Sequence, residues 1–189
     1  MCDTIDGLFQ PLQLPCGATL RNRIVKSAMS DSLGDGTGHP TETQKRLYER
    51  WAEGGVGVSI IGEVQGDPGF AEKPGNLVLD RHADLERFRE FARRGGVDGT
   101  HIWPQLGHAG AMAYPPTSTP KGPSALDLPG LKAAALDRAE IAALPEQFAE
   151  TARLAREAGF SGVQIHAAHG FLLSQFLSPL FNRRDDAYG

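Results

Sequence analysis

Cysteine is scarce in this chain: Cys2 and Cys16 are the only two among 189 residues. Neither lies in a Cys-x-x-Cys pair or beside a histidine cluster, so no disulfide framework or thiol metal motif is expected. Two reduced thiols in a cytoplasmic protein are expected instead. Long apolar runs are missing as well. None approaches the ~18 residues that a membrane span needs. The first fifteen residues carry Asp3 and Asp6 without the basic stretch of a secretory signal. Nor is there an excess of positive charge, since 19 Lys and Arg face 23 Asp and Glu, a net charge of −4. That balance gives no reason to expect nucleic acid or an anionic membrane as partner. No internal repeat, low-complexity tract or linker divides the chain, so residues 1–189 are expected to form a single domain.

Turn formers are plentiful, with 23 glycines and 13 prolines. Residues 8–20 read as a short hairpin turning at Pro15-Cys16-Gly17, and 22–28 as a first strand. Thr41 with Gln44 reads as a capping box opening a helix with Leu47 and Trp51 on one face. Gly54-Gly55 stops that helix, and 56–61 is a strand apolar enough to be buried on both sides. Gly54-Gly55-Val56-Gly57 is not a phosphate loop, because it follows a helix and enters a strand. A second helix begins at Asp80, shows Leu85, Phe88 and Ala92 to one side, and ends at Gly95-Gly96. Residues 100–106 form a third strand, in which Pro104 is awkward for a ladder. A Pro/Ser/Gly-rich connection then covers about 109–137, and its length marks it as functional or flexible rather than a hairpin. The third helix holds Phe148, Ala152 and Ala155 and ends at Gly159. The fourth strand is 162–166. Leu172, Leu173, Phe176 and Leu177 make a short apolar helix ended by Ser178-Pro179. Arg183-Arg184-Asp185-Asp186, in the polar tail, reads as a solvated charge run.

Alternation of this kind implies parallel strands joined by right-handed crossovers, an α/β fold. In such folds sites gather at the carboxyl ends of the strands. Those ends are Ala28-Met29-Ser30, Gly62-Glu63, Gln105 with His108 beyond it, and His166 with His169 beyond it. The pair His166 and His169 allows three readings: loop histidines bonded to backbone, metal ligands, or two donors converging on a substrate oxygen. No third ligand stands at the usual spacing for the second. Gln105 either satisfies backbone groups or offers its donor and acceptor to a heterocycle with an O=C–N–H edge.

Four segments taken in order resemble one family. They are Leu8-Phe-Gln-Pro11, Leu20-Arg-Asn-Arg-Ile24, Gln105-Leu-Gly-His-Ala-Gly110, and the long run from His166-Ala-Ala-His-Gly-Phe171 to Pro179, continued by 182–189. Together they resemble the old yellow enzyme family of FMN-dependent NADH:flavin oxidoreductases and ene-reductases. The resemblance implies a (β/α)8 TIM barrel closed at its base by an N-terminal hairpin. It implies FMN as cofactor, NADH or NADPH as reductant, and an activated alkene as substrate. Ala28, Met29 and Ser30 would lie along the flavin, with Ser30 near its O4/N5 edge. Glu63 would contribute backbone to it, and Gln105 would pair with its pyrimidine edge. His166 and His169 would bind the substrate carbonyl or nitro oxygen. Phe171 would border the substrate at a position where many relatives carry a proton-donating Tyr. A full barrel usually needs ~250 residues, so the resemblance covers about the first four βα units. The flavin-contacting Arg and Gly-rich phosphate site of later strands are not in this sequence. Half a barrel would leave its first and fourth strands as open edges; two copies pairing could close one. The alternative is a non-catalytic half-barrel fragment or interaction protein without flavin, and a third reading is a metal-dependent hydrolase using the histidines.

Overall fold

The structure, a computed structural model, describes residues 5–189. Cys2 and Asp3, on which part of the reading above rests, lie outside the described residues. A 3-10 turn at Ile5–Phe9 leads into β1 (Leu12–Gln13), which pairs antiparallel with β2 (Thr19–Leu20). Leu20, with Leu12 and Leu14, packs on Val58, Ile60 and Trp103. The expected hairpin therefore covers one mouth of the sheet.

The first parallel strand, β3, is only Val25–Lys26, shorter than the 22–28 expected. Asn22 explains the loss at its front. Its side-chain oxygen accepts from the Ile24 N–H and its amide donates to the Gly55 carbonyl, which turns the chain rather than extending it. Helix α1 (Glu42–Glu53) begins at Thr41, whose hydroxyl accepts from the Gln44 N–H. The capping box is one-sided, however, because the Gln44 amide donates instead to Asp31 at 2.9 Å.

Strand β4 (Val58–Gln65) runs four residues beyond its expected end at Ile61, with every residue buried. A strand missed in the sequence, β5 (Leu77–Val78), pairs with its far end. Helix α2 (Leu85–Gly95) is capped by Asp84, not Asp80; the Asp80 side chain is used in a separate turn onto the His82 N–H. Strand β6 (His101–Gly107) keeps Pro104 within its ladder with β4. The Ile102 and Leu106 carbonyls both accept from the 161–166 segment. By strand alternation the Pro104 nitrogen faces the same way. Regular pairing on that side covers only Gln105 and Leu106, so no ladder bond is lost.

The connection after β6 does contain a hairpin, contrary to expectation, because residues 126–135 pair antiparallel. It forms β7 (Lys121–Gly122), β8 (Leu126–Leu128) and β9 (Leu131–Ala135), a small sheet in the order β7-β9-β8. Helix α3 (Arg138–Glu157) follows, opened by a complete Asp137/Glu140 capping box. Its buried face is Ile141, Leu144, Thr151, Leu154 and Ala155; Phe148 and Ala152 are only half-buried. The last strand, β10, is Gln164–Ile165, and the short helix α4 is Leu172–Phe176. Leu177 caps α4 and is 82% exposed, so it is not part of the apolar face. The charge run is not simply solvated. Arg184 pairs with Asp186 and donates to the Pro123 and Leu136 carbonyls, fastening the tail to the β7–β9 excursion.

The parallel sheet has the order β10-β6-β4-β3, with β5 beside β4. On its outer face Ile61, Val64 and Ile102 meet Tyr48 of α1, Phe88 and Phe91 of α2, and Leu154 and Ala155 of α3. Each large apolar side chain buried there contributes roughly 1.5–3 kcal/mol. The inner face is Val58, Ile60 and Trp103 under the hairpin. Within the described residues the sheet ends at β3 and β10, and at those edges Val25 and Ile165 stay about half-exposed.

One irregularity interrupts the central pair. Ile61 faces Pro104 and Val64 faces Leu106, so Gly62 and Glu63 together oppose the single residue Gln105. This is a β-bulge, and Glu63 within it has φ of 56°. The chain beyond β3 crosses directly over it. A methyl group on Gly62 would overlap the Met29 carbonyl oxygen and carbon. Gly62→Ala is therefore expected to displace residues 28–30 and to destabilise the fold by about 1–3 kcal/mol. A urea midpoint lower than the parent's would show this; an unchanged midpoint would remove the crossing as a constraint.

Candidate active site

The bulge decides which way the end of β4 faces. Ile61 and Val64, three residues apart, both lie in the outer helix-facing cluster. The extra residue lets Glu63 turn to the other side. There its carboxylate accepts from the Ser30 hydroxyl at 2.6 Å and from the Asn76 amide at 3.0 Å. Ser30 stands beyond β3, Glu63 in β4 and Asn76 just before β5, so this carboxylate ties three segments together. Asn76 in turn accepts from the Glu72 and Lys73 N–H groups.

Next to it, β6 and β10 are in register at Gln105 and Gln164, and the Gln105 amide donates to the Gln164 side-chain oxygen at 2.7 Å. Past β10 comes the histidine pair. The His166 and His169 rings stand edge to face, 5.2 Å apart, and Phe171 meets His166 in the same manner at 5.0 Å. His169 has φ of 58°, a left-handed residue that turns the loop back on itself. His166 is buried, and its Nδ1 accepts from the Ala168 N–H. That bond leaves the hydrogen of a neutral imidazole on Nε2, making it a donor. Burial pushes the His166 pKa down, the neighbouring His169 pushes it further, and the Glu63 charge opposes both.

Carboxyl electrostatics here are opposed. Burial pushes Glu72 up, and the adjacent Glu63 carboxylate pushes it further. Burial also acts to raise Glu63, but hydrogen bonds from Glu72, Ser30 and Asn76 outweigh it and leave Glu63 below the usual carboxylate range.

The expected residues Ser30, Glu63, Gln105, His166 and His169 thus lie at or just beyond the carboxyl ends of the neighbouring strands β3, β4, β6 and β10. Ser30 lies beyond β3 and is bonded to Glu63 of β4, Gln105 is in β6, and His166 and His169 follow β10. Met29 is half-exposed beyond β3, and Ala28 packs with Leu20, Val58 and Ile60 under the hairpin. Phe171 packs with Ala109 and Ala113 as well as meeting His166. Four participants were not expected. Gln164 was hidden in a strand read only for its apolar residues, although its register with Gln105 follows from parallel pairing. Glu72, Lys73 and Asn76 sit in a loop with no motif to mark them. His108 does not join them. It is 6% exposed, stacked on Phe70 at 3.9 Å, and its Nδ1 accepts from the Gly110 N–H. Among the described residues, no three His, Cys, Asp or Glu side chains are arranged to hold a metal ion.

Parallel strands with helices outside and polar residues at their carboxyl ends define part of a (β/α)8 barrel of the enzyme type. The chain belongs to the NADH:flavin oxidoreductase / NADH oxidase family, whose profile matches residues 7–189. It is 37% identical to the NADH-dependent flavin oxidoreductase iliE of Hypocrea jecorina, over 95% of this chain and 51% of that protein. Among solved structures it superimposes on an old yellow enzyme homologue from Zymomonas mobilis with a TM-score of 0.88 and 30% identity, over 97% of this chain and 54% of that one. Morphinone reductase gives 0.84 at 28% identity, over 97% and 55%. The chain spans between about a quarter and about half the length of the curated relatives it matches. No helix among the described residues is long and apolar enough to cross a membrane.

Burial of His108 has a measurable consequence. Its pKa is pushed down to about 4 by desolvation, whereas an unfolded histidine titrates near ~6.5. The unfolded chain therefore binds the extra proton first. Stability from this group is complete above about pH 6.5 and is lost as the pH falls towards 4, by roughly 3 kcal/mol in all. His108→Gln should flatten the fall in urea midpoint between pH 7.5 and 4.5 by a corresponding amount. A variant as acid-sensitive as the parent would contradict this.

Proposed function

We propose that this chain forms the amino-terminal, flavin-holding half of an FMN-dependent oxidoreductase that passes hydride from NADH or NADPH to an activated alkene. What supports the reading is that Ser30, Glu63, Gln105 and the His166/His169 pair stand at or beyond the carboxyl ends of neighbouring parallel strands, with Ser30 bonded to Glu63. We infer a cytoplasmic setting, which suits the free, exposed Cys16 thiol. A small molecule is the partner inferred, and neither nucleic acid nor membrane.

The donor set suits an isoalloxazine. The Gln105 amide already binds another amide, Gln164, and so presents the donor and acceptor that an O=C–N–H edge requires. Ala28, Met29 and the Glu63 backbone would lie along the ring, with Ser30 at its reactive edge. FMN, when bound, supplies the hydride-transfer chemistry. The protein's residues do the rest. His166, neutral through burial, offers its Nε2–H to a substrate oxygen, and His169 flanks the same point. Two donors on that oxygen draw electron density from the conjugated carbon that accepts hydride. Phe171 packs beside His166 and excludes water, but it has no proton to give.

Purified protein mixed with FMN should turn yellow with quenched flavin fluorescence. Gln105→Ala should weaken FMN binding by about tenfold, the worth of roughly one hydrogen bond to a ligand. His166→Ala should leave FMN affinity unchanged and weaken binding of a simple phenol by a similar factor. A folded protein that stays colourless would support the non-catalytic half-barrel instead, and flavin loss from His166→Ala would reverse the assigned roles.

A further inference from the structure

Residues 27–32 run beyond the β3 ladder, which ends at Lys26. Ser30 lies in this stretch and is exposed, so regular strand pairing does not fix its hydroxyl on Glu63. Its neighbour Asp31 is bonded far more heavily. One Asp31 oxygen accepts from the Leu33 N–H and from the Gln44 amide, each at 2.9 Å. The other accepts from the same amide and from the Tyr48 hydroxyl, each at 3.1 Å. Gln44 and Tyr48 belong to α1, and both are buried. The direction of the last bond is set from behind. The Lys26 ammonium can only donate, and it donates to the Tyr48 oxygen at 3.2 Å and to the Ile60 carbonyl at 2.7 Å. Tyr48 is left to give its own hydrogen to Asp31. Lys26 also lies 4.5 Å from the centres of the Tyr48 and Trp51 rings, which hold the cation in place. On the far side of the turn the Thr41 hydroxyl donates to the Leu33 carbonyl at 2.7 Å. Ser32, between the two bonded residues, has φ of 54°, a costly conformation that these bonds maintain.

We propose that Asp31 is a positioning residue: anchored to α1 by Gln44 and Tyr48, it holds the preceding Ser30 so that its hydroxyl meets Glu63 in one orientation. The two side chains leave the backbone on opposite sides, as neighbours in an extended segment do. Asp31 reaches Tyr48 of the outer cluster, and Ser30 reaches Glu63, which has turned away from that cluster. The Ser30 hydrogen goes to Glu63, so the oxygen lone pairs are what a ligand meets. An unanchored serine would sample its staggered rotamers and offer a donor in one and an acceptor in another. That a ligand is met at Ser30 rests on the flavin reading above; the anchoring does not.

The test has two readouts. In flavin-free protein, the three-bond NMR couplings of the Ser30 Hβ protons should report a single χ1 rotamer. Asp31→Ala should average them. Asp31→Asn, which keeps an oxygen for Leu33 and Gln44, should restore the single rotamer. If Asp31→Ala does not fold, Gln44→Met combined with Tyr48→Phe cuts every bond from α1 to Asp31 with side chains of similar bulk, and should give the same averaging. A lower urea midpoint with Ser30 still in one rotamer would make Asp31 merely stabilising and overturn the proposal. In flavin-loaded protein, the midpoint potential of Asp31→Ala is compared with that of Asp31→Asn, which removes the same charge. The difference should have the direction of the Ser30→Ala shift and should vanish in a Ser30→Ala background. A difference that persists there would show that Asp31 acts other than through Ser30, and would overturn the proposal. A protein whose Ser30 rotamer behaves as expected but which takes up no flavin would overturn the flavin reading and leave the anchoring in place.

Discussion

The bulge at Gly62–Glu63 is the constraint on which the site depends. A strand has a side-chain period of two, so a regular β4 would send residue 63 to the face of Ile61, among Tyr48 and Phe91. An unpaired carboxylate there would cost several kcal/mol, more than a surface ion pair returns. One inserted residue reverses the phase. Val64 then fills the outer face and Glu63 reaches Ser30 and Asn76. The positive φ of Glu63 is the conformational cost, about 1–3 kcal/mol, and the network that it completes holds it in place. Gly62 is required for a separate reason, because the chain bearing Met29 passes where its side chain would be.

Burial acts differently on the polar groups it encloses. His108 and His166 are both kept neutral by it, and in each the Nδ1 accepts a backbone N–H. The outcomes diverge because of position. His108 is sealed against Phe70, so its neutrality is a matter of stability. His166 stands beside His169 beyond the end of β10, and under the proposed function its neutrality leaves a hydrogen to donate to substrate. The same hydrogen-bonding pattern is structural at His108 and is read as chemical at His166 only through the proposed function, because the two have different neighbours.

Much of this was legible in the sequence where local rules dominate. Alternation of strand and helix signals gave the parallel sheet, and the caps at Thr41 and Gly54 marked α1. The long His166–Pro179 run marked the family that the comparisons then showed. What failed was decided by contacts between distant residues. Asn22 shortens β3 through a bond to Gly55, and Gln44 leaves its cap for Asp31. The small sheet β7–β9 was invisible because its strands are two to five residues long and its sequence resembles a loop. Arg184 appeared solvated because its partners, the Pro123 and Leu136 carbonyls, lie about fifty or more residues earlier. Glu72 carries no local signal at all.

These long-range contacts also explain how an open sheet can keep a formed site. The polar groups of the site are bonded chiefly to one another: Ser30 and Asn76 to Glu63, and Gln105 to Gln164. Each link joins two different strands or loops, so the links act as cross-braces where the ladder itself stops. Removing one partner strands the other, at about 1–3 kcal/mol when the group left behind is buried. Asn76, Glu63 and His166 are each less than a tenth exposed, so that penalty applies at the centre of the site. Two of the apolar side chains left half-exposed, Val25 and Ile165, lie at the two sheet edges. The centre of the site is thus held by bonds between segments, Ser30 and Asn76 to Glu63 and Gln105 to Gln164, while apolar surface stays open at both sheet edges.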